Sequence, residues 1–226
     1  LLKAVLVNTC QDMTGVAGYP NDTEGWGRVN LDESLHFTGD SGRLWVEDVR
    51  RATGLSTGGQ RIYRVDVLGS TRPLEVTLAF TDFAGTVNAS DPVVNDLDLV
   101  VIAPNGTRYL GNAWSGGWSQ GGTLLADAKN NVERAAIQSP AAGTWTFEVS
   151  ARNVPQGPQG FGLCATGDLG GPFPLASIGG YGAGKPGQFG VPTITSTLPE
   201  LPTTWRLQLG NSLPSSLALA VYGWAA

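Results

Sequence analysis

The sequence predicts a mainly β protein whose central domain is a jelly roll or β-sandwich. The chain contains 32 Gly and 14 Pro among 226 residues, a composition typical of a protein rich in turns. Several segments alternate apolar and polar residues with a period of two, which is the pattern of half-buried strands. Turn signals separate these segments at the spacing expected for seven or eight strands of a sandwich.

One helix is predicted, at the N-terminus. Helical spacing over residues 1–9 is shown by four residues, Leu2, Val5, Leu6 and Thr9. A loop rich in Gly, Pro and Asn follows. Residues 25–35 are then expected to close this region with a bend around Trp26 and one short helical turn at 32–35.

The first strands are predicted after Gly42. Period-two alternation covers residues 63–67 and 74–80, as in half-buried antiparallel strands. Residues 97–102 are apolar on both faces, which predicts a strand covered on both sides. Asn105-Gly106 then favours a two-residue hairpin turn, so that the chain returns antiparallel over 107–110.

Two further strands are predicted at residues 140–154 and 161–167. In the first, the inward positions are Trp145, Phe147 and Val149. The stretch 113–131 is expected to be a loop, whose Trp114 and Trp118 either plug the end of the barrel or bind a sugar or partner. Alternation returns at 205–209 and at 217–221, which predicts a small terminal group of strands.

Three aspartates are candidate metal ligands. Asp96 and Asp98 lie two positions apart at the start of a strand and therefore project to the same side. Counting by two from Phe80 reaches Asp82, which joins them at one rim if the two strands are neighbours. Unpaired carboxylates there are costly, and carboxylate oxygens are the ligands that Ca²⁺ prefers. The pattern thus predicts a calcium site; solvated or backbone-capping carboxylates are the alternative.

Several classes of function are disfavoured. The formal net charge of −5 and the absence of a Lys/Arg cluster argue against a nucleic-acid surface. The sequence contains no run of eighteen apolar residues, so no membrane span is predicted. His36 is the sole histidine, and no GxSxG or HExxH motif accompanies it, so no catalytic residue is predicted. Cys10 and Cys164 could form a disulfide or remain buried thiols. The sparse charge favours an extracellular protein.

Five stretches together resemble one family of enzymes. They are LLKAVLVNT, YPNDTEGWGRVNLDESL, VVNDLDLVVIAPNGTRYLGN, KNNVERAAI and PAAGTWTFEVSARNVPQGPQGFGL. In this order and with these gaps, they are similar to the C-terminal third of a subtilisin-like (kexin-like) serine peptidase. The similar type is the secreted bacterial peptidase that carries a jelly-roll domain after its protease domain. The resemblance runs from Leu1 to about Gly167.

The resemblance implies a division of the chain. Residues 1–38 would be the end of the peptidase domain, including a remnant helix of its α/β fold, and residues 39–167 would be the jelly-roll domain. Composition then assigns 168–190 to a Gly/Pro-rich linker and 191–226 to a partial β module. The family's catalytic Asp, His and Ser would lie before Leu1, and no residue here matches their motifs.

The resemblance also implies a role. The jelly-roll domain would pack against the peptidase domain of the same protein, bind Ca²⁺ and stabilise the enzyme, and Asp82, Asp96 and Asp98 match the family's acidic positions. We therefore expect a secreted, monomeric and noncatalytic region of a serine endopeptidase, which meets polypeptide substrates through the peptidase domain. Two alternatives stay open: a substrate- or carbohydrate-binding module that uses Trp114 and Trp118, and a structural spacer.

Overall fold

The structure, a computed structural model, describes residues 1–13, 18–37, 39–89, 92–123, 125–171, 193–196 and 207–210. The chain divides into two compact units. One comprises Leu1–Leu35 with Ser41–Phe173, and the other comprises His36–Asp40 with Pro174–Ala226. In the part of the chain that is described, no helix has the length and apolar character needed to cross a membrane.

The described residues form one α-helix, a 3₁₀ turn at Arg51–Thr53, and a series of short and long strands. Their bounds are α1 (Leu2–Asn8), β1 (Cys10–Gln11), β2 (Arg28–Val29), β3 (Arg43–Val49), β4 (Gln60–Val67), β5 (Leu74–Ala79), β6 (Asp96–Ile102), β7 (Arg108–Ser115), β8 (Trp118–Gly121), β9 (Val132–Ile137), β10 (Gly143–Asn153), β11 (Phe161–Gly167), β12 (Leu169–Gly170), β13 (Thr193–Ser196) and β14 (Leu207–Gly210).

Two antiparallel sheets make up most of the first unit. One has six strands in the order β12-β4-β10-β6-β7-β8, and the other has four in the order β3-β11-β5-β9. Side chains from both sheets share one hydrophobic core, which includes Leu78, Leu99, Trp145, Phe147 and Leu163. The predicted mainly β fold with a sandwich of jelly-roll type is therefore confirmed.

The alternating segments form strands as predicted. Val65 and Val67 of β4 are buried, whereas Arg64 and Asp66 are exposed. In β10 the inward positions Trp145, Phe147 and Val149 are at most 1% exposed. Leu97, Leu99 and Val101 on one face of β6 are fully buried, and Val100 on the other face is 5% exposed, in agreement with a strand covered on both sides.

The hairpin between β6 and β7 differs from the predicted two-residue turn. The Ala103 N–H donates to the Thr107 carbonyl (2.8 Å) and the Gly106 N–H donates to the Ala103 carbonyl (2.9 Å). Three residues, 104–106, therefore connect the strands. Pro104 suits the first central position of a type I turn, and Gly106, with φ of 86°, takes the left-handed position that follows it.

The Trp/Gly/Ser-rich stretch after this hairpin is more regular than predicted. β7 continues to Ser115 and β8 covers Trp118–Gly121, so the expectation of a loop over the whole of 113–131 is wrong. The register of the pair shifts between Tyr109 and Trp114. Polar and Gly residues obscure the apolar alternation that would have predicted these strands.

The N-terminal segment (residues 1–13 and 18–35) packs through α1 on the outer face of the four-stranded sheet. The predicted helix is present as α1, and its Ala4 and Val5 share a buried cluster with Ala79, Val132 and Cys164. After it, β1 pairs with β2. In place of the short helical turn expected at 32–35, a single turn is closed by the Ser34 N–H, which donates to the Leu31 carbonyl.

At the other end of the first unit, Leu169 and Gly170 of the predicted linker form β12, which pairs with β4. In the second unit, β13 pairs antiparallel with β14. The rest of the linker from residue 172 and the strand predicted at 217–221 lie outside the described residues.

Candidate metal site

A gap in the six-stranded sheet sets the geometry of the site. β6 pairs with β7 only over Val100–Ile102, because β7 then bends away at Gly111 and Asn112, whose φ is 58°. The Leu99 N–H of β6 therefore donates its hydrogen bond to a side chain and not to the backbone of a neighbouring strand. The Glu133 Oε2 of β9 accepts this hydrogen bond at 2.7 Å.

Four acidic side chains gather around this gap, and we call them the acidic cluster. They are Asp96, Asp98, Asp127 and Glu133. The first two extend from β6, Asp127 comes from the segment after β8, and Glu133 comes from β9. The charges of the other three each raise the pKa of Glu133, which shows that all four carboxyls are within electrostatic range.

Glu133 is the most deeply buried member. It is 1% exposed, and its Oε1 has no hydrogen-bond partner among the described residues. Gly111 leaves room for it, since a Cβ at that position would lie 2.2 Å from the Glu133 Oε2. Burial raises the pKa of Glu133 well above its ordinary value, against the effect of the Leu99 hydrogen bond, and the neighbouring acids raise it further.

Asp98 has the same kind of environment. It is 9% exposed, and its Oδ1 lacks a hydrogen-bond partner within the described part of the chain. Burial, followed by the charge of Asp96, raises the pKa of Asp98 to about 6, while Arg152 opposes the shift. Burial also raises the pKa of Asp96. Both carboxyls therefore lie where a negative charge is insufficiently compensated.

Asp127 is held by donors. Its carboxylate accepts hydrogen bonds from the Asn112 Nδ2 (2.6 Å), the Asn130 Nδ2 (2.7 Å) and the Lys129 N–H (2.9 Å). Burial raises the pKa of Asp127, but these hydrogen bonds outweigh it and the net shift is downward. Asp127 is thus an ionised carboxylate, oriented by its donors, beside three carboxyls whose pKa values are raised.

Asp82, the third aspartate of the predicted site, has a different environment. Its Oδ1 accepts from the Phe83 N–H (2.7 Å) and the Asn95 N–H (2.9 Å), and its Oδ2 accepts from the Val94 N–H (2.7 Å). Asp82 lies three residues beyond the end of β5, and β5 and β6 belong to different sheets, so Asp82 and Asp96 are not on neighbouring strands. Asp82 caps the segment that leads into β6.

The donor set suits a hard cation. Carboxylate oxygens are typical ligands of Ca²⁺, whereas Zn²⁺ sites in proteins are dominated by Cys and His. In the described residues, no three Asp, Glu, His or Cys side chains are yet close enough together to hold a metal ion. The acidic cluster would therefore have to contract to hold a cation.

Sequence reasoning identified Asp96 and Asp98 as candidates but missed Asp127 and Glu133. Glu133 lies in the stretch NNVE, one of the motifs that carry the family resemblance, and this was the available signal. Asp127 lies in a stretch without periodicity, and nothing local to it indicates a site.

Trp114, one of the two tryptophans proposed for sugar or partner binding, contacts the N-terminal segment. Trp114 packs edge to face against Tyr19 and Trp26, with ring centroids 6.4 and 6.1 Å apart. Edge-to-face contacts of this kind stabilise packing. Trp114 therefore helps to hold residues 19–26 against β7.

The two cysteines are free and buried. Cys164 lies in β11 beneath α1, and burial raises the pKa of its thiol. Burial also raises the pKa of Cys10, against the effect of Arg134. Both side chains are therefore protonated thiols that pack as small apolar groups.

Comparisons with known proteins give no family assignment. No family model matches the chain, and neither does any curated protein. Among solved structures, a lipase of Bacillus licheniformis, BlEst2 in its propeptide form, is 18% identical over 59% of this chain, with a TM-score of 0.33. A protein from Sulfurospirillum deleyianum is 10% identical over 54% of this chain and 96% of its own, with a TM-score of 0.30. The chain spans about a quarter (24%) of the lipase's length, and likenesses this weak carry no argument about function.

Proposed function

We propose that this chain is the noncatalytic C-terminal region of a secreted subtilisin-like serine endopeptidase, stabilised by Ca²⁺ bound at the acidic cluster. The family resemblance of residues 1–167 supports the identity of the parent enzyme. The β-sandwich that follows a packed helical segment supports the arrangement that this resemblance implies. Proteolysis would belong to the peptidase domain, and this chain would stabilise it.

One observation carries the calcium part of the proposal. Two buried carboxyls, Asp98 and Glu133, each present an oxygen that has no hydrogen-bond donor within the described residues, and both face a cluster of like charge. A buried charge without a partner costs several kcal/mol, so such an arrangement needs either protons or a cation. A divalent ion bound among the four carboxylates would offset two of their four negative charges.

The ligands proposed are Asp96, Asp98, Asp127 and Glu133. Asp82 is not among them, because both of its oxygens accept backbone hydrogen bonds. When bound, Ca²⁺ would supply positive charge and oxygen coordination that link β6, β9 and the segment after β8. Binding to the folded state alone stabilises it by about 2.7 kcal/mol at a hundredfold excess over the Kd.

The test is thermal unfolding with excess Ca²⁺ and with a chelator. We expect Ca²⁺ to raise the Tm of the wild-type chain by roughly 5–10 °C. Asp98→Asn should abolish this increase while leaving the chelated protein as stable as the wild type or more so, because it removes a buried charge. Calcium uptake is measured in parallel by titration calorimetry.

Asp82→Asn is the matched control. It weakens the cap on the Val94 and Asn95 N–H groups, so the Tm should fall both with and without Ca²⁺, and the increase caused by the ion should persist. A wild-type Tm that is indifferent to Ca²⁺, or an increase lost in Asp82→Asn and kept in Asp98→Asn, would contradict the proposed site.

A further inference from the structure

Strand β9 lies between the acidic cluster and the N-terminal segment. Its register with β5 pairs Leu78 with Glu133 and Thr77 with Arg134. Consecutive residues of a strand project to opposite faces. Glu133 therefore extends toward the acidic cluster, and Arg134 extends from the other face, where the N-terminal segment is packed.

Arg134 is one polar link between β9 and the N-terminal segment. It is 1% exposed, and its Nη1 donates to the Tyr19 hydroxyl (2.5 Å). Its Nη2 donates to the Cys10 carbonyl (3.3 Å) and forms a salt bridge with Glu75 (2.8 Å). A buried guanidinium with these partners is sensitive to small displacements, because loss of one contact leaves a buried charge poorly compensated.

Asn112 connects the backbone of β9 to the acidic cluster. Its Nδ2 donates both to Asp127 (2.6 Å) and to the Val132 carbonyl (2.9 Å), and its Oδ1 accepts from the Arg134 N–H (3.0 Å). One side chain thus holds a carboxylate of the cluster and the backbone on either side of Glu133. Movement of the carboxylates toward an ion would pull on the strand that positions Arg134.

We infer that cation binding at the acidic cluster and docking of residues 1–35 on the β-sandwich are energetically coupled through Glu133 and Arg134 of β9. This inference rests on the proposed function, since it needs an ion at the cluster. Coupling of this kind is reciprocal: if the ion tightens docking by some factor, docking tightens binding of the ion by the same factor.

Hydrogen exchange of α1 and calorimetry with Ca²⁺ test the coupling in the full chain. Without coupling, the ion stabilises the forms with and without docked residues 1–35 equally, so amide exchange of α1 that requires undocking keeps its rate. Coupling slows exchange of residues 2–9, and we expect at least about fivefold. Tyr19→Phe removes the hydroxyl that accepts from Arg134 without creating a large cavity, and it should weaken Ca²⁺ binding while speeding exchange in α1.

Two further variants complete the design. Glu133→Gln should lose the effect of Ca²⁺ on α1 exchange together with Ca²⁺ binding. Arg108→Gln, at an exposed position on β7, should behave as the wild type in both measurements. Loss of the effect in Glu133→Gln and its retention in Arg108→Gln would show that the effect requires the ion at the acidic cluster, and weakened Ca²⁺ binding in Tyr19→Phe would support a path through Arg134.

The outcomes separate the two proposals. If the wild type binds Ca²⁺ but exchange in α1 is unchanged and Tyr19→Phe binds the ion normally, the coupling is overturned and the proposed calcium site stands. If the wild type takes up no Ca²⁺, the proposed calcium site fails and the coupling fails with it.

Discussion

At the scale of single residues, Tyr63 makes the stability of the fold depend on pH, because its phenol is harder to ionise in the folded state than in the unfolded state. Its ring packs edge to face on Trp45 at 5.2 Å, and its hydroxyl has no hydrogen-bond partner among the described residues. Burial raises the pKa of Tyr63 to about 12, with a further contribution from Glu47 and an opposing one from Arg61. The folded state therefore holds the phenol in its neutral form.

The sign of the resulting pH dependence follows from linkage. A group whose pKa is raised by folding contributes stability that is fully present below its unfolded pKa of about 10 and is lost as pH rises through about 12. We predict that Tyr63→Phe loses less stability than the wild type between pH 9 and pH 11, measured by urea unfolding. An equal loss in both proteins over that range would contradict the assigned burial of the phenol.

At the residue scale, the sequence could reveal part of the candidate site. Asp96 and Asp98 were predictable because both sit on one strand, where a period of two determines which side they share. Asp127 and Glu133 approach from other elements, and their proximity depends on how β7 bends at Asn112. Long-range approach of this kind leaves no local pattern in a single sequence.

Among the elements, β9 carries two charged residues, Glu133 and Arg134, on opposite buried faces. All six of its residues are buried, including Glu133 and Arg134. A strand buried on both faces shows no alternation, so periodicity could not assign its charged residues to a face. β9 makes two close contacts: Glu133 packs against Gly111 of β7, and Arg134 donates to the Cys10 carbonyl of the N-terminal segment.

Gly111→Ala tests the approach of β7 to β9. An added Cβ would lie 2.2 Å from the Glu133 Oε2 and 2.6 Å from the Glu133 Cβ, and the second atom cannot rotate away without moving β9. We predict a loss of about 1–3 kcal/mol in the free energy of unfolding, by overpacking. Urea unfolding measures it, and wild-type stability in this variant would mean that the two strands are not held this closely.

Strand positions were predicted well from alternation, whereas sheet membership was not. The expectation that Asp82 joins Asp96 and Asp98 depended on neighbouring strands, yet β5 pairs with β11 and β9 while β6 pairs with β10 and β7. Alternation specifies which residues face the core but carries no information on which strands pair. Asp82 consequently reaches the start of β6 from the other sheet and caps its backbone.

In the first compact unit, buried polar contacts join the N-terminal segment to the β-sandwich. Asn8 of α1 is fully buried; its Nδ2 donates to the Thr166 hydroxyl (2.8 Å) and its Oδ1 accepts from the Thr77 hydroxyl (2.8 Å). Arg72 forms a salt bridge with Glu33 at 2.6 Å. These contacts, with the buried apolar cluster beneath α1, join the two parts into one folded unit.

Removal of residues 1–38 tests this integration. The outer face of the four-stranded sheet would lose its cover over Ala79, Val132 and Cys164, and Arg134 would keep Glu75 but lose its partners in the N-terminal segment. We predict a lower Tm and greater binding of a hydrophobic dye for the chain 39–226 than for the full chain. Asn8→Ala is a milder variant, expected to cost about 2 kcal/mol because it leaves two buried hydroxyls without their amide partner. If the chain 39–226 melted at the same temperature as the full chain and bound no more dye, the sandwich would be an independent domain, and the contacts of α1 would contribute nothing measurable to its stability.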